Sequence, residues 1–212
     1  IVKKASWSTA VSMADVNGDA LLDIYVCNSG DVKGGRRQNE LYINNGNLTF
    51  TEKAEECRLA DKGFSTHAAF FDYDRDGDLD MFLVNYSFNN SNTNANNIVA
   101  RDFSGNSPAN DRLYRNDGIN QQLGHPVFTD VSFASGIRED GYGLGVTISD
   151  FNGDGWPDVY VANDFVSNDN LWQNNGDGTF TNRIATALRH QSYSSMGVDA
   201  ADMNNDGLPD IV

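Results

Sequence analysis

The sequence predicts an all-β fold made of repeated four-stranded antiparallel units. Three observations support this prediction: one acidic pattern occurs four times, apolar residues alternate before each copy, and a β-rich apolar run follows it. Alternation with a period of two indicates a half-buried strand. The chain of 212 residues is 39% hydrophobic and only 21% charged, so it has enough apolar surface to bury a core.

The charge balance excludes some classes of partner. The chain carries 30 acidic and 15 basic residues, which gives a formal net charge of -15 at pH 7. Such a charge repels phosphate backbones and anionic lipid surfaces, so nucleic acid binding is not expected. The sequence has no run of about 18 apolar residues, so membrane insertion is not expected either. Cations and basic partners are favoured.

The acidic pattern reads Asp-x-Asp/Asn-x-Asp-x-x-x-Asp and defines four segments, which we name loops one to four. They span residues 15–23, 72–80, 150–158 and 202–210. A strand A is predicted before each loop, and a strand B after it. The run after the fourth loop has only begun at Val212.

Two further strands complete each of the first three units. Strand C begins at a Leu-aromatic pair and runs into an Asn-Gly or Asp-Gly turn, and strand D begins at a Phe-Thr pair. Such turns between short strands indicate hairpins. The step from the Phe of strand D to the next loop is always 22 residues, which fixes a common register. The three steps run from Phe50 to Asp72, from Phe128 to Asp150 and from Phe180 to Asp202.

A repeated four-stranded antiparallel unit of this length is typical of a β-propeller blade. A β-sandwich is the alternative, but it does not require the same loop at the same hairpin of every unit. We predict one partial propeller domain over residues 1–212, with about three and a half blades and the remaining blades in the same longer chain. The predicted blades cover about 5–52, 63–130, 141–182 and 192–212.

The four loops are predicted to bind calcium, with about four ions in all. Ca²⁺ takes about six to eight oxygen ligands, and carboxylates at alternating positions of a tight loop can converge on one point. The expected ligands are the side chains at positions 1, 3, 5 and 9 and the carbonyl at position 7. They are Asp15, Asn17, Asp19, Leu21, Asp23, Asp72, Asp74, Asp76, Asp78, Asp80, Asp150, Asn152, Asp154, Trp156, Asp158, Asp202, Asn204, Asp206, Leu208 and Asp210.

Other interpretations of the loops fit less well. An EF-hand needs a bidentate Glu at position 12, where the first three loops have Val26, Leu83 and Val161 inside β-type runs. A solvated Asp/Asn turn would explain one copy but not four in register. Loop one is expected to bind most weakly, because position 6 favours a left-handed backbone and is Ala20 there but glycine in the other loops.

The units resemble the FG-GAP or VCBS repeats of integrin-α-type β-propellers. The likeness covers the whole chain and rests on the loop, the apolar strand B and the Asn-Asn-Gly hairpin together. Segments 63–71 and 128–137 are closest to the cartilage-acidic-protein (ASPIC/UnbV-type) branch. The resemblance implies a calcium-binding scaffold for adhesion or for binding a protein or glycan. It also implies an extracellular, cell-surface or periplasmic location.

No catalytic group stands out, so the chain is predicted not to be an enzyme. It has no Gly-x-Ser-x-Gly elbow, phosphate-binding loop or redox cysteine pair, and His67, His125 and His190 are scattered. A glycan lyase or hydrolase on the same scaffold is the alternative, and a structural spacer is a third possibility. Cys27 and Cys57 are compatible either with a disulfide or with two small buried residues.

Strand direction predicts where a partner binds. The A–B loops and C–D hairpins share one face, the loop face, while the B–C loops and D-to-A connections share the opposite one, the connection face. Unit two has a long B–C segment within residues 86–110. Its Phe88, Arg101 and Phe103 are of the residue types that dominate binding hot spots, so they are the predicted partner residues. The alternative is a solvated insertion.

Overall fold

The computed structural model describes residues 7–30, 36–86, 101–164 and 167–212. The regular secondary structure in this part of the chain consists of β-strands and one short helix, and no helix there is long and apolar enough to cross a membrane. The strands are β1 Ser8–Ala14, β2 Asp23–Asn28, β3 Glu40–Asn44, β4 Phe50–Glu52, β5 Ser65–Phe71, β6 Asp80–Asn85, β7 Arg112–Asn120, β8 His125–Asp130, β9 Gly143–Ser149, β10 Asp158–Asn163, β11 Asn170–Asn174, β12 Phe180–Asn182, β13 Ala200–Ala201 and β14 Asp210–Ile211, and the helix α1 is Ile184–Ala187.

The strands form the predicted blades. In the described residues, three four-stranded sheets have the orders β1-β2-β3-β4, β5-β6-β7-β8 and β9-β10-β11-β12, and β13 pairs with β14. In these sheets, neighbouring strands pair antiparallel. Strands A to D of each complete unit are thus consecutive neighbours in one meander. The prediction of an all-β propeller of four-stranded blades is confirmed.

The hydrophobic cores lie between successive blades. Tyr25 and Leu41 of blade one pack in one cluster with Met81 and Leu83 of blade two. A second cluster joins blades two and three, and a third joins blade three to the partial fourth blade. Because each sheet is covered by the next, its strand B is buried on both faces and reads as a continuous apolar run. The blades therefore stabilise one another.

The innermost strands β1, β5 and β9 run side by side and are joined by hydroxyl groups. The Thr9 hydroxyl donates to the Ser65 carbonyl over 2.6 Å, and the Thr66 hydroxyl donates to the Gly143 carbonyl over 2.7 Å. Space is tight at this axis, since a Cβ on Gly145 would lie 3.2 Å from the Cα of Gly197. A side chain at Gly145 would therefore crowd the backbone of the partial fourth blade.

The two cysteines are unbonded and buried. Cys27 lies in β2 and Cys57 in the connection after β4, and both belong to the core cluster between blades one and two. Burial raises the pKa of each thiol to about 12, so both stay protonated. Of the two sequence-based alternatives, the packing role describes the structure.

The longer hairpin of blade two makes a contact that the sequence did not indicate. Its extra residues extend β7 and start β8 at His125, before the predicted start at Phe128. Nε2 of His125 lies 3.1 Å from Oε2 of Glu56, in the connection after blade one. The Phe128 backbone also donates to the Cys57 carbonyl over 3.0 Å. The extension therefore joins blade two to blade one.

We predict that packing between blades dominates stability. Leu83 is fully buried between blades one and two, whereas Leu48 is 97% exposed in a hairpin of blade one. Leu83→Ala should lower the free energy of unfolding by about 2 to 5 kcal/mol because it opens a cavity. The same change at Leu48 should cost less than about 0.5 kcal/mol. Urea unfolding of both variants tests this, and equal destabilisation would contradict it.

Candidate metal centres

All four loops have the same backbone, with left-handed residues at positions 4 and 6. Position 6 is Ala20 with φ of 67° in loop one, and glycine with φ of 86° to 96° in the others. Position 4 is also left-handed, and it is Arg75 in loop two and Asn205 in loop four. A non-glycine residue in this region costs about 1 to 2 kcal/mol. The left-handed backbone at Ala20 is confirmed, but loop two carries a similar strain at Arg75, so strain alone does not single out loop one.

The carboxylates at positions 1 and 5 hold each loop in shape. In loop one, Asp15 accepts hydrogen bonds from the backbone N–H of Asp19 and Ala20, and Asp19 accepts from that of Leu21. The same bonds form in the other three loops, with acceptors Asp72, Asp76, Asp150, Asp154, Asp202 and Asp206. The repeated pattern thus encodes a folded loop, in which these oxygens retain further lone pairs.

The carboxylate at position 9 links each complete loop to the C–D hairpin of its own blade. Asp80 accepts a hydrogen bond from Tyr73 N–H in its loop over 3.0 Å and another from Asn116 N–H at the end of strand C over 2.8 Å. Asp23 and Asp158 make the equivalent pairs of bonds. These three side chains are buried. Burial raises the pKa of Asp80 to about 7 and that of Asp158 to about 6.

Loop two gathers a donor set that suits a hard cation. One carboxylate oxygen from each of Asp72, Asp74 and Asp80 lies within 4.8 Å of the others. Ca²⁺–oxygen bonds of about 2.3 to 2.6 Å would span such separations. Oδ1 of Asp74 is buried and receives no hydrogen bond from the described part of the chain. A set of oxygen ligands that includes a carboxylate with a buried oxygen lacking a hydrogen-bond donor fits calcium.

The asparagines that end strand C join neighbouring blades. Nδ2 of Asn116 donates to the Val16 carbonyl of loop one, and Nδ2 of Asn174 donates to the Tyr73 carbonyl of loop two. Loops two and three also touch directly, since the Arg75 guanidinium lies 4.6 Å from the centre of the Trp156 ring. Loops one, two and three therefore form a connected row along the loop face.

The loop face carries nearly all of the net charge. The four loops and the C–D hairpins at 44–50, 115–124 and 174–180 contain 16 of the 30 acidic residues and two of the 15 basic ones, a net charge of -14. The remaining 14 acidic and 13 basic residues sum to -1. Four Ca²⁺ ions would bring eight positive charges to the face where repulsion is strongest.

The three predicted partner residues differ in their position in the structure. Phe88 lies outside the described residues. Arg101 ties its segment of blade two to the following connection and to blade three: Nε donates to the Asp140 carbonyl over 2.8 Å, and Nη2 donates to Oδ1 of Asn170 in β11 over 3.1 Å. Phe103 is 63% exposed on the connection face. Of the two described residues, Phe103 alone is well exposed and Arg101 is engaged within the fold.

Two surface residues that the sequence did not single out lie on the same face. Phe133 is 59% exposed in the connection after blade two, and the Arg138 guanidinium lies 3.8 Å from its ring centre. A Cβ on Gly105, two residues after Phe103, would approach the side chains of both within 3.5 Å. Sequence pattern could not separate this exposed Phe from the buried Phe128 five residues earlier.

The fold and its loops define a repeat-built β-propeller scaffold with one acidic loop at the same hairpin of each blade. The chain belongs to the FG-GAP-like repeat family, whose model matches residues 15–83 and 150–212. The family predicted from the sequence is thereby confirmed. Over 209 residues the chain is 26% identical to Cartilage acidic protein 1 of Homo sapiens, covering 95% of this chain and 29% of that protein. This match agrees with the predicted branch.

Two solved structures share the fold. One shows how an Agrocybe aegerita lectin recognises non-reducing terminal N-acetylglucosamine, at 19% identity and a TM-score of 0.51, covering 97% of this chain and 46% of that one. The other is the exotype rhamnogalacturonan lyase YesX, at 14% identity and a TM-score of 0.50, covering 97% of this chain and 38% of that one. At these identities, the likeness concerns the fold alone.

The raised pKa values predict opposite pH trends with and without cation. In chelator, the folded protein keeps protons on Asp80 and Asp158 up to about pH 7 and 6, whereas the unfolded chain releases them near pH 4. Because the folded state binds more protons across that range, the free energy of unfolding should fall as pH rises from about 4 to 7. In calcium, protons compete with the ion for the same oxygens, so stability should rise instead.

Thermal melts at about pH 5 and 7.5 test this pair of trends. A variant with Asp80→Asn and Asp158→Asn lacks both titrating groups, so its melting temperature in chelator should depend less on pH. An unchanged pH dependence in that variant would contradict the assignment to these two carboxyl groups.

Proposed function

We propose that the chain is a calcium-stabilised propeller scaffold that binds a protein or glycan ligand outside the cytoplasm and has no catalytic activity of its own. The observation that carries this proposal is the donor set of loop two, where one carboxylate oxygen from each of Asp72, Asp74 and Asp80 lies within 4.8 Å of the others and Oδ1 of Asp74 is buried without a hydrogen-bond donor among the described residues. Calcium would supply positive charge between these carboxylates. Loops one, three and four repeat the same backbone and would hold further ions.

The side chains at positions 1, 3, 5 and 9 would hold each ion, together with the carbonyls of Leu21, Asp78, Trp156 and Leu208 at position 7. Extracellular calcium modules bind at about 10⁻⁴ to 10⁻³ M, so sites of this type are filled outside the cytoplasm. The similarity to a protein named for cartilage supports the same setting. The chain spans 29% of that relative, so neighbouring parts of a whole protein would add to its function.

The ligand is proposed to bind on the connection face. The rest of the chain, which includes that face, has a net charge of only -1, whereas the loop face bears a net charge of -14. Exposed Phe103 and Phe133, with Arg138 against the second ring, provide aromatic and Arg contacts of the type that dominates binding hot spots. Arg101 would act indirectly here, because its bonds hold the segment that carries Phe103 against blade three.

A carbohydrate-active enzyme on the same scaffold is the alternative function. One solved structure of this fold is a rhamnogalacturonan lyase and another is a glycan-binding lectin, so the fold is compatible with both roles. Catalysis would need an acid/base pair outside the loops. Turnover of a uronate-containing or N-acetylated glycan, abolished by changing a carboxylate outside the loops, would favour this alternative.

We predict that the folded chain binds up to four Ca²⁺ ions with a gain in stability. Native mass spectrometry in millimolar calcium should show masses for as many as four added ions, and the melting temperature should fall when chelator is added. A chain with Asp72, Asp74 and Asp80 all changed to Asn should bind one ion fewer. Identical melts in calcium and in chelator would contradict calcium stabilisation.

We also predict that ligand capture depends on the connection face. Phe103→Ala combined with Phe133→Ala should reduce capture of a glycan or extracellular protein that the unmodified chain retains, by about tenfold or more. The matched control is Leu48→Ala, which removes an exposed apolar side chain from the loop face. Equal capture by the double variant and the control would exclude these aromatic residues from the binding site.

A further inference from the structure

Among the four predicted side-chain ligand positions of the loops, position 3 is the one that varies in residue type. Loops one, two and three share their left-handed residues at positions 4 and 6 and their bonds at positions 1, 5 and 9. The residue at position 3 is Asn17 in loop one, Asp74 in loop two and Asn152 in loop three. Arg75 and Asp78 also distinguish loop two, but position 3 is the one predicted side-chain ligand whose charge differs among these three loops.

In loops one and three, the amide at position 3 already satisfies the carboxylate at position 5. Nδ2 of Asn17 donates to Oδ2 of Asp19 over 3.0 Å, and Nδ2 of Asn152 donates to Oδ2 of Asp154 over 2.7 Å. An ion that uses the same carboxylate oxygen must compete with this hydrogen bond. These two loops therefore have an internal partner for position 5 without any cation.

Loop two lacks this internal partner. Its Asp74 has no amide to offer Asp76, and Oδ1 of Asp74 is buried without a donor among the described residues. Burial, and next the charge of Asp76, raise the pKa of Asp74. Among the predicted side-chain ligands, loop two thus has one more carboxylate than loops one and three, and it has one fewer internal hydrogen bond to lose on binding.

We propose that loop two is the principal cation site, filled at a lower calcium concentration than loops one and three, and that Asp74 is the residue that sets this order. The inference rests on the proposed function, because it assumes that the loops bind calcium. Affinity in calcium loops rises with the number of charged ligands. Loop two also lies in the middle of the row, where Asn116, Asn174 and Arg75 connect it to loops one and three. As the calcium concentration rises, the first ion would therefore bind at the central loop of the row.

The test is a calcium titration that resolves the individual loops. The backbone N–H at position 6 donates to the position 1 carboxylate in each loop, so its NMR resonance reports binding in that loop. These resonances belong to Ala20, Gly77 and Gly155. In the unmodified chain, the midpoint for Gly77 should fall at a calcium concentration about tenfold below those for Ala20 and Gly155.

Two reciprocal variants assign the cause. Asp74→Asn gives loop two the amide of the other loops, so the Gly77 midpoint should move up to join them. Asn152→Asp gives loop three the carboxylate of loop two, so the Gly155 midpoint should move down by a similar factor. Resonances outside the row, unchanged in both variants, would verify that the fold is retained.

The possible outcomes separate this inference from the function on which it rests. A Gly77 midpoint at or above that of Gly155 in the unmodified chain would overturn the inference, as would an unchanged Gly77 midpoint in Asp74→Asn. If either result is obtained while the amide resonances still shift on addition of calcium, the proposal that the loops bind calcium still stands. The absence of shifts at all three amides in millimolar calcium would instead overturn the proposed function.

Discussion

The structure depends on a buried carboxylate at the last position of each acidic loop. Asp23, Asp80 and Asp158 each accept one backbone hydrogen bond from their own loop and one from the end of strand C. A buried carboxylate is costly unless its oxygens are satisfied, and here each oxygen has a donor. This pair of bonds fixes the A–B loop against the C–D hairpin. The two hairpins of a blade are therefore held in a defined position relative to each other.

The connections between blades follow from that arrangement. The asparagine whose N–H binds the carboxylate sends its own amide group to the loop of the preceding blade, as Asn116 and Asn174 do. Apolar clusters fill the space between the sheets, and threonine hydroxyls join the innermost strands. A short acidic pattern thereby organises contacts well beyond its own nine residues. It also places most of the net charge on one face, which leaves the opposite face available for a partner.

The strands and blades could be predicted because their signals are local and repeated. Each loop marks a hairpin, and the constant step from Phe50, Phe128 and Phe180 to the next loop fixes the register. Other features depend on contacts between distant residues. The left-handed backbone at Arg75 was missed because nothing in its side chain requires that conformation.

The same limit applies to the connection face and to differences between loops. The sequence does not distinguish an Arg that faces a ligand from one that, like Arg101, holds two blades together. Asp74 was predicted as one of several equivalent ligands, and only the structure shows that Asn17 and Asn152 donate to the carboxylate at position 5 of their own loops, a bond that Asp74 cannot make. The ligand set was thus predictable from the pattern, whereas the order among the loops was not.

Amide hydrogen exchange at the end of strand C, measured with calcium and with chelator, tests most directly whether the ion holds each loop against its hairpin. We predict that the N–H groups of Asn44, Asn116 and Asn174, which donate to the position 9 carboxylates, exchange more slowly when calcium is bound. Amides in the apolar centres of strands β2, β6 and β10 should change less. Equal protection of the three asparagine amides in calcium and in chelator would contradict the claim that the ion holds loop and hairpin together.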